Sequence, residues 1–372
     1  MNQQIIQGID KLAHILEVVN CKRLFLVVDS SYPFLNIKDI IEALEVEKIS
    51  FSDFTPNPLY KQVCKGIERL KNTACDAILA VGGGSAIDVA KCIKLAVLAV
   101  EGNNAIIPPL VNTRVTCDGT KLPFIAIPTT AGTGSESTHN AVMYYEGSKQ
   151  TVTNDGVLPD FALLEPSVLK TLSLYQKKCT MMDALCQGIE SWWSVNSTEE
   201  SYEYSQKAIE LIMKNWEAYI FENDSKVAES IMLGANYGGR AINITATTAA
   251  HAMSYKITSL YKYPHGHAVA CCLPYIWKYM VANIEQIIDP RGEAYLNDIF
   301  IKIASAMGCN SVENAIAKFE DMMVRMELKQ PDLNAPEELD FLVKSVNPVR
   351  LKNNPVYLSE KVLRNLYAEI TK

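Results

Sequence analysis

Two rhythms of apolar and polar residues run through the first half of the chain. Apolar runs at residues 23–28, 48–54, 76–81 and 122–128 read as strands, and the run at 76–81 has the unbroken apolar character of a buried parallel strand. Between them, residues 37–44, 59–73 and 86–95 carry apolar positions at helical spacing. Repeated strand–helix units predict a doubly wound parallel sheet, with ligands at the carboxyl ends of its strands. After residue 166 the rhythm changes, and residues 168–174, 181–194, 201–218, 227–243 and 295–307 read as helices. The pattern therefore predicts an α/β dinucleotide-binding domain over residues 1–169 and an all-α metal- and substrate-binding domain over 170–372. The boundary follows Pro159-Asp-Phe-Ala-Leu-Leu-Glu-Pro166, and the active site is expected in a cleft between the two. No internal repeat or low-complexity segment interrupts the pattern.

Composition fits this division. A chain of 372 residues exceeds the usual single domain, and its 21% charged and 48% hydrophobic residues are those of an ordinary globule. A net charge of −7 argues against nucleic acid or an anionic membrane surface as partner, so an anionic ligand must meet a local cationic cluster. No apolar run is long enough to span a membrane, and the amino terminus lacks the pattern of a signal peptide. The ten cysteines, at 21, 64, 75, 92, 117, 179, 186, 271, 272 and 309, form no C-x-x-C pair. They fit reduced thiols in a cytoplasmic protein. A homo-oligomer, a dimer, is expected.

Candidate chemistry concentrates in a few places. Val81-Gly-Gly-Gly-Ser-Ala-Ile-Asp-Val-Ala-Lys91 is a glycine turn between a strand and a helix. There the backbone can approach a pyrophosphate and the helix amides can solvate its charge. The spacing is neither G-x-G-x-x-G nor a Walker A loop, and such a turn also occurs as a plain βα corner. A second strand ends in Thr129-Thr-Ala-Gly-Thr-Gly-Ser-Glu136, a run of hydroxyls and glycines suited to phosphate oxygens and a carboxamide. Of five histidines, His251, His265 and His267 crowd together, and imidazoles on two such elements can converge on one cation. Asp183 and Gln187 lie four apart, on one helix face.

The pairing of Gly-Gly-Gly-Ser-x-x-Asp-x-x-Lys with Pro-Thr-Thr-Ala-Gly-Thr-Gly-Ser-Glu resembles the iron-containing (group III) alcohol dehydrogenase family, with its dehydroquinate synthase-like fold. The resemblance implies metal ligation by Asp183, Gln187, His251 and His265. The family usually has histidine at position 187, so a mixed oxygen and nitrogen set is expected, suited to Fe2+ and compatible with Zn2+ or Mn2+. It also implies contacts to NAD(H) from Asp29, Asn57, Gly82, Gly83, Gly84, Ser85, Asp88, Thr129, Thr130, Thr133, Asn140 and Lys149. Asp29 near the adenine ribose would disfavour the 2′-phosphate of NADP(H). Asp88 and Lys91 could equally form a solvated helix face. Tyr255, Lys256 and His267 are the catalytic candidates, with Tyr255 and His267 as proton relays. Lys256, Arg240 and His139 either bring positive charge near a carbonyl or lie on solvated surface.

The implied activity is metal-dependent reduction of a small aldehyde by NAD(P)H. The segments at 183–191 and 248–256 are similar to the phosphonoacetaldehyde reductase branch, whose product is 2-hydroxyethylphosphonate. The alternatives are a reductase of another small aldehyde or semialdehyde, and a non-redox NAD- and metal-assisted lyase of dehydroquinate synthase type. A metal-free cofactor-binding protein is a third, suggested by Gln187 alone.

Overall fold

A computed structural model describes residues 3–98 and 122–371. Cys117 lies outside the described residues; the other nine cysteines are free thiols. The chain divides into two compact units, Met1–Leu172 and Ser173–Lys372.

The first unit is built on a parallel sheet of β1 (Gln4–Gln7), β2 (Arg23–Val28), β3 (Glu47–Phe51), β4 (Ala77–Gly82), β5 (Phe124–Pro128) and β8 (Phe161–Leu164). The order is β1-β8-β5-β4-β2-β3. A hairpin of β6 (Asn140–Tyr145) and β7 (Ser148–Thr153) stands apart from it. Among the described residues, four α-helices belong here: α1 (Leu12–Val18), α2 (Lys38–Glu42), α3 (Tyr60–Lys71) and α4 (Gly84–Leu98). Every residue of β4 and β5 is buried, which is why their sequences read as continuous apolar runs. Burying one such aliphatic side chain contributes about 1.5–3 kcal/mol. The chain steps from β2 outward to β3 and returns to β4 on the other side of β2. This reversal places a switch point between the carboxyl ends of β2 and β4, where open α/β sheets bind ligands.

The second unit is helical: α5 (Leu174–Trp193), α6 (Glu199–Glu217), α7 (Ala228–Thr245), α8 (Ala249–Tyr261), α9 (His265–Ala282), α10 (Glu293–Ala306), α11 (Val312–Arg325), α12 (Glu338–Lys344), α13 (Pro348–Leu351) and α14 (Glu360–Ile370). Ser173 caps α5 by accepting from the Gln176 amide. From Lys177 onward all but one of its residues are buried, because α6, α7 and α9 pack around it. No helix among the described residues is long and apolar enough to cross a membrane.

The structure departs from the sequence expectation in three places. Residues 168–174 are not an α-helix; a 3-10 helix, Pro166–Thr171, stands there, begun by a proline at its first position. The segment that precedes the expected boundary holds a strand not read from the sequence, β8, which pairs with β1 and β5 inside the first unit. The β6–β7 hairpin was not expected, because its two-residue turn is Glu146-Gly147 rather than Asn-Gly, with both residues at positive φ (48° and 75°).

Candidate metal centre and cofactor cradle

At the switch point the glycine turn is tied to its neighbours by hydrogen bonds. The Gly83 amide donates to Asp29 Oδ2 (3.0 Å), while Asp29 Oδ1 accepts from the amide and hydroxyl of Ser31. A Cβ at position 82 would lie 2.5 Å from Asp29 Oδ2, so only glycine allows the turn to close on that carboxylate. The Asn57 amide, in an exposed turn at φ 58°, donates to Ser85 Oγ (3.3 Å). The Thr129 amide donates to the Gly82 carbonyl (3.0 Å). Thr130 and Thr133 flank Gly83 and Gly84, their side-chain atoms 3.6 and 2.9 Å from where a Cβ would stand. The structure thus gathers Asp29, Asn57, residues 82–85, Thr129, Thr130 and Thr133 around one concave turn at the strand ends, suited to a dinucleotide's phosphates and ribose.

Asp88 and Lys91 are not a solvated face. Lys91 is fully buried, and its ammonium donates to the Ser135 carbonyl (2.6 Å), the Asn140 carbonyl (2.7 Å) and the hydroxyls of Ser135 and Thr138 (both 3.0 Å). Burial draws its pKa down to about 8 despite the nearby Asp88. Asp88 accepts from Ser135 Oγ (2.6 Å) and the Val142 amide (2.9 Å); burial raises its pKa, and Lys91, these hydrogen bonds and Lys149 of β7 oppose the rise only in part. The pair binds α4 to the hydroxyl loop and β6, shaping the cradle from behind. Asn140 is occupied likewise, its side-chain oxygen accepting from Thr153 Oγ1 (2.7 Å).

In the second unit, Asp183 on α5, His251 on α8 and His265 at the start of α9 each offer one donor atom, and the three atoms lie within 4.8 Å of one another. Asp183 and His251 are buried and His265 is half-buried. Gly266 makes the approach possible, because a Cβ there would stand 2.0 Å from the Cys179 carbonyl and 2.7 Å from Asp183 Cβ. Glu190 is the residue the sequence reading missed. Fully buried, it accepts through Oε1 from the amides of Thr248 (3.1 Å), Ala250 (3.0 Å) and His251 (3.3 Å) and from Thr248 Oγ1 (2.7 Å). It thereby caps α8, whose N-cap residue, Thr248, makes no side-chain hydrogen bond to the helix's own amides. Its second oxygen accepts from His251 Nδ1, and the other ring nitrogen, Nε2, is buried and faces Asp183 Oδ1 at 3.4 Å. A buried imidazole nitrogen of this kind beside a carboxylate and a second imidazole fits a divalent ion of borderline hardness. Among protein groups alone, burial lowers the His251 pKa, but Glu190 and Asp183 outweigh it and hold the value at about 10. Gln187, one turn along from Asp183, is buried with its carbonyl oxygen against Gly238 of α7. A signal for Glu190 existed: positions 183, 187 and 190 are the polar stripe of an otherwise buried helix.

The catalytic candidates separate. Tyr255 stacks on the His265 ring, with centroids 5.7 Å apart and planes 10° apart. Lys256, half-buried, follows it and is rotated about 100° further round the helix. His267 is buried and spends both ring nitrogens: Nε2 donates to the Lys329 carbonyl (2.9 Å) and Nδ1 accepts from the Tyr175 hydroxyl (2.8 Å). Its ring stacks on Tyr263, and burial lowers its pKa, favouring the neutral form these bonds require. Arg240 lies over the Tyr204 ring at 3.9 Å and donates to its hydroxyl, while His139, in the first unit, pairs with Asp155 at 2.9 Å.

A nucleotide-type cradle in one unit and a metal-type cluster in the other define a class, the nucleotide-dependent metalloenzymes. Comparison narrows it. The family model for iron-containing alcohol dehydrogenases matches residues 2–166, and the model for the carboxyl-terminal part of that family matches residues 178–371. Long-chain-alcohol dehydrogenase 1 of Geobacillus thermodenitrificans is 31% identical over 310 residues, 82% of this chain and 75% of the relative. Phosphonoacetaldehyde reductase of Streptomyces viridochromogenes is 29% identical over 313 residues, 81% and 78% of the two chains. The crystal structure of sulfoacetaldehyde reductase from Bifidobacterium kashiwanohense, in complex with NAD+, superposes with a TM-score of 0.87 at 26% identity, covering 100% of this chain and 97% of that one. The chain belongs to the iron-containing alcohol dehydrogenase family.

Proposed function

We propose that this enzyme reduces a small aldehyde bearing an anionic tail, phosphonoacetaldehyde foremost, to the corresponding alcohol with NADH and a divalent metal, Fe2+ foremost. The observation that carries the reading is the convergence of Asp183, His251 and His265, with one buried His251 nitrogen oriented by Glu190 and the other facing the Asp183 carboxylate. When bound, the ion supplies Lewis acidity toward a carbonyl oxygen and the reduced nicotinamide supplies hydride. Asp183, His251 and His265 would hold the ion, and Glu190 fixes the tautomer and orientation of His251. Residues 82–85 would receive the pyrophosphate, and Asp29 the adenine ribose. The Asp29 carboxylate already accepts from the amides of Gly83 and Ser31, and an acidic side chain at this place makes a 2′-phosphate there unfavourable. Of the two proton carriers, Tyr255 lies at His265, whereas both nitrogens of His267 are engaged elsewhere; proton delivery therefore falls to Tyr255 or solvent. Two relatives named for two-carbon aldehydes with a phosphonate or sulfonate group support the substrate class.

The test is steady-state oxidation of NADH and NADPH by the iron-loaded enzyme with phosphonoacetaldehyde, sulfoacetaldehyde and propanal. The expected result is NADH-dependent turnover, fastest with an anionic aldehyde. Turnover of propanal alone would refute the anionic substrate, and no NADH consumption with any aldehyde would refute the reductase reading and favour a lyase.

A further inference from the structure

The groups first in line to meet an anionic tail have partners of their own. Arg240 is held by Tyr204 and His139 by Asp155. Another cation approaches the cluster. Arg350, on the short helix α13, places its guanidinium carbon 5.9 Å from the centroid of the Tyr255 ring, and Tyr255 lies parallel to the His265 imidazole. The guanidinium and the imidazole thus both lie against the Tyr255 ring, which brings a cation to the neighbourhood of the proposed metal ligand.

The arm carrying Arg350 is anchored to the element that carries the histidine. Three residues on, buried Asn353 donates to the carbonyls of Thr245 (2.7 Å) and Thr247 (3.1 Å) and accepts from Ser194 Oγ (2.6 Å). Those two carbonyls flank Ala246, which sits at φ 55°, a conformation that persists only where its surroundings hold it. Thr248 follows at once and begins α8, with His251 and Tyr255 one and two turns along it. Asn347 opens α13 by accepting from the Val349 amide (2.9 Å), and α13 packs on α8. The backbone of Arg350 is therefore anchored to the segment that leads into α8, and its side chain is half-buried.

We infer that Arg350 is the specificity-determining residue of the substrate site, receiving the phosphonate or sulfonate of the aldehyde through its guanidinium fork. The inference rests on the aldehyde-reductase reading above. A guanidinium presents paired N–H donors that match two oxygens of a tetrahedral anion, which a lysine ammonium does not. The test compares Arg350→Ala and Arg350→Lys with the wild type, using phosphonoacetaldehyde, sulfoacetaldehyde and propanal. In Arg350→Ala, selectivity for either anionic aldehyde over propanal should fall about 10–100-fold, mainly through KM; Arg350→Lys should recover part of it. Calorimetric binding of ethylphosphonate to the metal-loaded enzyme gives a readout independent of turnover, and Arg350→Ala should weaken it by a similar factor. The doubly charged phosphonate should lose more than the singly charged sulfonate. Equal losses for charged and uncharged aldehydes, or ethylphosphonate binding that survives Arg350→Ala, would overturn the assignment of Arg350 while leaving the reductase reading in place. Absence of any NADH-linked reduction would sink that parent reading instead, and the ethylphosphonate measurement would still decide whether Arg350 binds the anion.

Discussion

At the scale of single residues, the histidines could be found from sequence because three of the five crowd into one stretch, and Asp183 because the family resemblance points to it. Glu190 and Arg350 could not be assigned roles. Glu190 acts on backbone amides some sixty positions away, and Arg350 arrives from a short helix near the carboxyl end; neither relation leaves a local pattern. Glu190 is open to a sharp test through pH. With the His251 pKa held at about 10, an incoming ion must displace a proton, so its apparent affinity should rise about tenfold per pH unit between 7 and 9. Without the ion, the raised pKa contributes stability that is complete below the ordinary histidine value of 6.5 and is lost as the pH climbs through about 10. Glu190→Gln removes the main partner of the protonated ring. Metal affinity at pH 9 should then drop about 10–100-fold, and the pH slope should flatten. Chelator competition at pH 7 and 9 measures both, and unchanged affinity with an unchanged slope would show that Glu190 serves only to cap α8.

At the scale of elements, the central strands were legible to within a residue or two because burial on both faces removes every polar interruption. β1 and β8 were not, being four residues each and flanked by polar or proline positions that read as linker. Helix α5 was read short at its amino end, since Leu174–Thr180 mixes lysines and tyrosine with apolar residues, and Lys177 and Lys178 are nevertheless buried. The Pro-His-Gly turn was legible as a motif, but its reason is visible only where α9 meets α5. Gly266 lets the start of α9 press against Cys179 and Asp183, and this contact sets His265 beside the carboxylate. Gly266→Ala should therefore act twice. Overpacking at that contact should lower unfolding stability by about 1–3 kcal/mol in denaturant titration, and displacement of His265 should weaken metal retention by at least about tenfold. A variant that loses stability but keeps its metal would separate the packing role of the glycine from any role in the cluster.

At the scale of the whole molecule, the proposed function divides its ligands between the units, the dinucleotide to the parallel sheet and the metal to the helices. The division is testable without catalysis, because a ligand that binds only folded protein stabilises what it binds, by about 2.7 kcal/mol at a hundredfold excess over Kd. Local opening of the liganded segments should then slow, and amide hydrogen exchange reads that slowing segment by segment. NAD+ added alone should protect residues 29–31, 82–86 and 129–135, where the amides of Gly83, Ser31 and Thr129 already meet Asp29 and Gly82. Fe2+ added alone under anaerobic conditions should protect residues 179–191, 248–255 and 264–268, where Glu190 gathers the first amides of α8 and Gly266 packs on α5. Glu190→Gln should abolish most of the second pattern and leave the first. If NAD+ leaves residues 82–86 unprotected, the glycine turn is a plain corner of the sheet; if Fe2+ leaves residues 248–255 and 264–268 unprotected, the convergence of Asp183, His251 and His265 is not a metal site. Protection of both sets, each by its own ligand, is what a chain with a nucleotide cradle in one unit and a metal cluster in the other must show.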